Sequence, residues 1–125
     1  MGTFTVGNAS SVQQDIQPPA GEVWLITSII FYGDTTSSES RADIYTNDGA
    51  TAVKVVGWTD TGSDPVCRGG FFSSQGVSSG NIPANHPMNN GMIIDNTNYM
   101  SLEGYHEDGG NKTFYYCISG VKLRG

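Results

Sequence analysis

The stretch "IQPPAGEVWLITSIIFYG", residues 16–33, decides the fold. Pro18 and Pro19 cannot donate to a sheet ladder and so end one extended run. Ala20 and Gly21 then turn the chain into the next run. From Val23 to Tyr32 apolar residues follow almost without a break and without a 3.6-residue period, which predicts one long strand over 22–33. Alternation puts Val23, Leu25, Thr27, Ile29 and Phe31 on one face, and Glu22, Trp24, Ile26, Ser28, Ile30 and Tyr32 on the other. Both faces are rich in large apolar groups, whereas a strand of an ordinary sandwich hydrates one of them.

Working outward, the rest of the chain is a series of short extended runs bounded by turn residues. They lie at 3–6, 12–17, 41–46, 51–59, 91–95, 99–105 and 112–123, with a further short run at "GFFSS" (70–74). Asp48-Gly49 between two of these runs is a strong hairpin signal, and "NTN" (96–98) is expected to join 91–95 to 99–105 as a paired strand–turn–strand. The connections are too short for crossover helices. The expectation is therefore an all-β, single-domain chain over 1–125: an antiparallel β-sandwich of jelly-roll type with about eight strands. An up-and-down barrel is the alternative, and the uneven loops favour the sandwich.

The final run repeats the two-faced pattern. Phe114, Tyr116 and Ile118 alternate with Tyr115, Cys117, Val121 and Leu123, allowing for a register break at Gly120. Two strands thus need their outer face covered. Either the Pro/Ser/Asn-rich segment 60–90 folds back over them, or a neighbouring subunit does. Interfaces favour Trp and Tyr and deplete Lys, so Trp24, Ile26, Ile30, Tyr32, Tyr115 and Cys117 are the expected subunit-interface residues of a homo-oligomer.

Composition narrows the function classes. Twelve carboxylates against six Lys or Arg give a net charge of −6, and the cations are scattered, so no nucleic acid partner is expected. The longest apolar run falls short of the roughly 20 residues of a membrane helix, and no membrane partner is expected. "MGTFTVGNAS" has neither the basic start nor the apolar stretch of a signal peptide, so synthesis in a cytoplasm is expected, which disfavours a Cys67–Cys117 bridge.

Chemistry-bearing motifs are sparse. His86 and His106 each fall in an expected loop, and no CxxC, HxH or HExxH accompanies them. "GVSSG" (76–80) is not a nucleophile elbow. "DTTSSES" and "DTGSD" are loose oxygen clusters for calcium. No catalytic, cofactor-binding or metal residue is assigned, no cofactor is expected, and the chain is taken as not an enzyme.

"IQPPAGEVWLITSI" entering a long strand, "HPMNNGMIIDNTNYMSLEGY" in the middle, and the closing "FYYCISGVKL" together resemble small tailed-phage virion proteins. The resemblance covers about half the chain. It implies a jelly-roll bacteriophage head protein: a structural decoration or cement protein, often a homotrimer, bound to the major capsid protein on the outer capsid surface of the virion. Related β-sandwiches occur in phage fibres and baseplates. There a carbohydrate-binding, receptor-binding module is the alternative, with Trp58 or Tyr105 as stacking platforms.

Overall fold

Runs rich in β-branched and aromatic residues, cut by Gly, Pro, Asn and Asp, give eight strands in the computed structural model. It describes residues 2–35, 40–60 and 91–125, with the side chains at 30, 32 and 56–60 outside that description. In chain order the strands are β1 (Gly2–Val6), β2 (Ser10–Ile16), β3 (Val23–Gly33), β4 (Ser40–Asn47), β5 (Ala52–Asp60), β6 (Met92–Asp95), β7 (Tyr99–His106) and β8 (Lys112–Arg124). Their bounds fall close to the runs read from the sequence. The expected short strand at 70–74 lies outside the described residues.

Two four-stranded sheets form, one in the order β1-β8-β3-β6 and the other β2-β7-β4-β5, and every pairing is antiparallel. The pairs β1–β8, β2–β7, β3–β6 and β4–β5 are the rungs of one long folded-over hairpin. Successive rungs go to alternate sheets, and β8–β3 and β7–β4 contacts stitch them together. That winding is the jelly roll.

Among the described strands only β4–β5 is a local hairpin. In its turn Gly49 takes φ +89°, and the Asp48 carboxylate accepts the N–H groups of Ala50 and Thr51 at 2.9 and 2.7 Å. The expected pairing of 91–95 with 99–105 is corrected. β6 pairs with β3 in one sheet, whereas β7 pairs with β2 and β4 in the other. Residues 96–98 cross between sheets, held by the Asp95 carboxylate accepting from Thr97 and Asn98.

The core lies between the sheets. Val6, Ile26, Ile29, Phe31, Ile94 and Phe114 from the first sheet meet Ala42, Ile44, Met100 and Leu102 from the second. Phe114 packs with Phe4 and Phe31 at ring separations of 5.8 and 6.0 Å.

The face assignment of β3 is also corrected. A bulge between Ile26 and Ser28 inserts one residue and switches faces. Ile26, 3% exposed, is therefore buried together with Ile29 and Phe31. Gly120 lies opposite this bulge: a Cβ there would sit 2.1 Å from the Leu25 carbonyl oxygen. The irregularity expected at Gly120 is real, but the extra residue is on the facing strand.

Candidate functional site

The outer face of the first sheet is built by register. Leu25 on β3 is flanked by Ile93 on β6 and Val121 on β8, so three aliphatic side chains stand in one cross-strand row. Ile93 is 64% exposed and Val121 55%, with Leu123 beside them at 52%. Apolar side chains grouped in this way on one face of a soluble domain mark an interaction surface more often than single exposed ones do. The row also sits in a locally neutral zone. Lys122 Nζ lies 3.2 Å from Glu22 Oε1, and Arg124 is close enough to Asp95 to favour its ionised form.

The expected interface residues divide between the two faces. Cys117 and Tyr115 stand in register with Ile30 and Tyr32 on β3; both are half-buried, and Cys117 is a free thiol. Ile30 and Tyr32 hold their strand positions, but their side chains lie outside the described residues. Trp24 and Ile26 are on the inner side, which corrects their placement on an outer face. Ile26 is core, and Trp24 packs against it with Nε1 donating to Glu22 Oε1 at 2.9 Å. Ile93, Val121 and Leu123 carry the exposed patch instead, with the half-buried Leu25 between the first two. "GMIID" has apolar residues on both sides of its alternation and carried that signal for Ile93.

Where β1 stops covering β8, a groove of about 330 Å³ opens on the inner side. It is lined by Ile16, Trp24, Ile26, Tyr116, Ile118 and Lys122, with Gly120 and Val121 at its edge. It is mostly apolar, and its one charged wall residue is already paired with Glu22.

The outer face of the second sheet is polar. Asp43 stands opposite Glu103 on β7 and is buried. Desolvation pushes its carboxyl above the usual carboxylate range, and Lys54 at 3.4 Å opposes that shift. Tyr45 donates to Glu103 at 3.4 Å, and its phenol is pushed up to about 12 by burial and then by the charges of Asp43 and Glu103. Ser101 ties Asp15, Gln13 and Asn47 together. One face of the Tyr105 ring carries the Arg41 guanidinium, 4.2 Å from the centroid, so that face is not an open stacking platform. The Trp58 side chain lies outside the described residues.

His106 is not in a loop, contrary to the expectation. It ends β7, fully buried, with Nε2 2.7 Å from the Val6 carbonyl oxygen and Nδ1 accepting the Asp108 N–H at 3.0 Å. With Nδ1 accepting, Nε2 is the side that donates to the Val6 carbonyl, and the ring has a structural task, tying β1 to the β7–β8 turn. Among the described residues no three His, Cys, Asp or Glu side chains come together as a metal site. His86, Cys67 and all of "DTGSD" beyond Asp60 lie outside the described residues, as does most of "DTTSSES". No helix among the described residues is long and apolar enough to cross a membrane.

No family model, curated protein or solved structure matches the chain.

Proposed function

We propose that this chain is a non-enzymatic structural protein that self-associates through the β8 side of its first sheet. In keeping with the resemblance read from its sequence, it would then act as a decoration protein on the outside of a phage head. The observation that carries the reading is the row Ile93–Leu25–Val121, exposed at Ile93 and Val121 and half-buried at Leu25, with the exposed Leu123 beside it, in a chain of net charge −6. A soluble acidic domain that keeps aliphatic side chains together in one neutral zone gains by burying them against a partner. A cement protein joins capsomers through such repeated contacts. The sandwich suits the role because each sheet offers one face that is not used by the core.

Two measurements test the reading. Light scattering behind size-exclusion chromatography, at micromolar concentration, should give a homo-oligomer; the resemblance implies a trimer. Density maps of purified virions should place the chain outside the shell. A strict monomer removes the self-association, and density at a tail tip removes the head assignment.

A further inference from the structure

His106 joins three segments at one end of the sandwich. Its Nε2 lies 2.7 Å from the carbonyl oxygen of Val6, the last residue of β1, and its Nδ1 accepts the Asp108 N–H of the β7–β8 turn at 3.0 Å. Its own carbonyl oxygen accepts the Ala9 N–H at 2.8 Å, in the turn between β1 and β2. The two turns also meet directly, where Asn8 Oδ1 accepts the Gly109 N–H at 2.8 Å. The ring itself is fully buried and stacks on Phe114.

One of these links cannot survive a proton. A neutral imidazole has one donor and one acceptor nitrogen, whereas the cation has two donors. With Nε2 donating to Val6 and Nδ1 accepting from Asp108, an added proton has only Nδ1 to occupy, where it meets the Asp108 N–H head on. It also leaves a charge on a ring held away from water.

The charged side chains nearest in the chain are Glu107 and Asp108 in the β7–β8 turn and Lys112 at the start of β8; β1 and Gly7–Ala9 carry none. β2 sets Ser10 opposite His106, and its Asp15 stands opposite Ser101. On β7 itself Glu103 and Tyr105 belong to the other face, with Tyr45 and Arg41. Glu107 and Asp108 draw a proton towards the ring and Lys112 opposes it, but in either case the proton breaks the Nδ1 link.

The strand that the ring holds is the one most readily lost. β1 is five residues long, lies at the edge of its sheet and pairs with β8 alone. Ala9, in the turn that follows, takes φ +54°, a left-handed backbone that favours glycine, so this turn relaxes when the His106 carbonyl lets go.

We propose that His106 is an acid-operated latch: protonation of its ring frees β1 and the Gly7–Ala9 turn from the β7–β8 turn, while the rest of the sandwich stays folded. Release uncovers the side of β8 that β1 now pairs, from Lys112 to Tyr116, and the Phe4 ring, which packs on Phe31, Phe114 and Tyr116. The inference is independent of the self-association proposed above.

Amide hydrogen exchange of the full chain, corrected for the intrinsic pH dependence of exchange, tests the latch. An imidazole in water takes up its proton near about pH 6.5, so opening that requires the proton should become roughly thirtyfold more frequent between about pH 7.5 and about pH 5. Protection of the Asp108 and Ala9 amides and of β1 should fall by that factor, while protection of β4 should not. His106→Asn keeps an acceptor near the Asp108 N–H and does not titrate in this range, so its Asp108 protection should stay level. Where that variant fails to fold, wild type alone decides: an equal loss of protection in β4, or none at Asp108 and Ala9, overturns the latch. A His106→Asn protein that loses Asp108 protection in acid as wild type does also overturns it, by assigning the release to the carboxylates of the turn.

Discussion

Ile26 and Ile29 are three residues apart on one strand, yet both are buried in the same core, at 3% and 2% exposure. Regular alternation would send them to opposite faces. The bulge before Ser28 reverses the parity, and Gly120 on β8 leaves room for it.

A lysine substituted at Ile26 should therefore unfold the domain, because a charge enters the core unpaired. Ile26→Ala should cost about 2–5 kcal/mol, the range for deleting a buried aliphatic side chain. Ile93→Lys, on the exposed row, should change stability by no more than about 0.5 kcal/mol. Urea midpoints of the three variants check this. Tolerance of Ile26→Lys would place Ile26 outside the core.

How much of this was legible in the residues follows from the range of each signal. Strand limits were, because Pro18-Pro19, Asp48-Gly49 and the "DGG" before β8 act locally. Sheet membership was not. The Asx turn at Asp95 reverses the chain equally well within a sheet or between two, and only the partners of β6 and β7 decide between these. Parity failed at bulges. One extra residue at Thr27 moved Trp24 and Ile26 inward, and a second shift makes Leu123 an extra residue on β8 between Lys122 and Arg124, away from Tyr115 and Cys117, where β8 runs in regular register with β3. The exposed row escaped because it is assembled from three strands: the two-sided apolar pattern of "GMIID" marks Ile93, but only the pairing sets it beside Leu25 and Val121.

Phe114 tests how tightly the sheets are fitted together. A Cβ at Gly104 would sit 2.8 Å from its ring, and one at Gly33 2.5 Å. Gly104→Ala should thus cost about 1–3 kcal/mol through overpacking. In a Phe114→Leu background the same substitution should cost clearly less, because the clashing ring is gone. A double-mutant cycle by thermal denaturation measures the difference, and strict additivity would refute the steric account.

Replacing His106 separates ring shape from hydrogen bonding. Phenylalanine keeps a ring beside Phe114, where His106 now stacks at 6.5 Å, but leaves the Val6 carbonyl and the Asp108 N–H without their imidazole partner. At about 1–3 kcal/mol for the buried Val6 carbonyl and less for the part-buried Asp108 N–H, His106→Phe should lower stability by roughly 2–4 kcal/mol. Amide exchange should quicken first in β1 and the β7–β8 turn, the two segments the imidazole joins. Unchanged protection there would mean that the ring does not tie them.

Two aspartates should show opposite pH signatures. The Asp95 carboxylate is held below its ordinary range, first by the N–H of Asn98, then by that of Thr97. Its folded state binds fewer protons than its unfolded state, so its stabilisation is present above the unfolded value of about 3.9 and is lost as pH falls through the folded one. Asp43 is shifted upward, chiefly by desolvation. The folded state then holds the proton more tightly, so its contribution is present at low pH and is lost as pH rises from about 4 through the folded value. Asp95→Asn should therefore match wild type in acid and fall behind it towards neutrality. Asp43→Asn should gain on wild type over the same rise in pH, since an amide has no charge to desolvate. Urea midpoints from about pH 3 to 7 read both, bracketing the ordinary carboxylate range. If Asp43→Asn instead lost ground to wild type with rising pH, the Lys54 pair would outweigh burial and the assigned cause would be wrong.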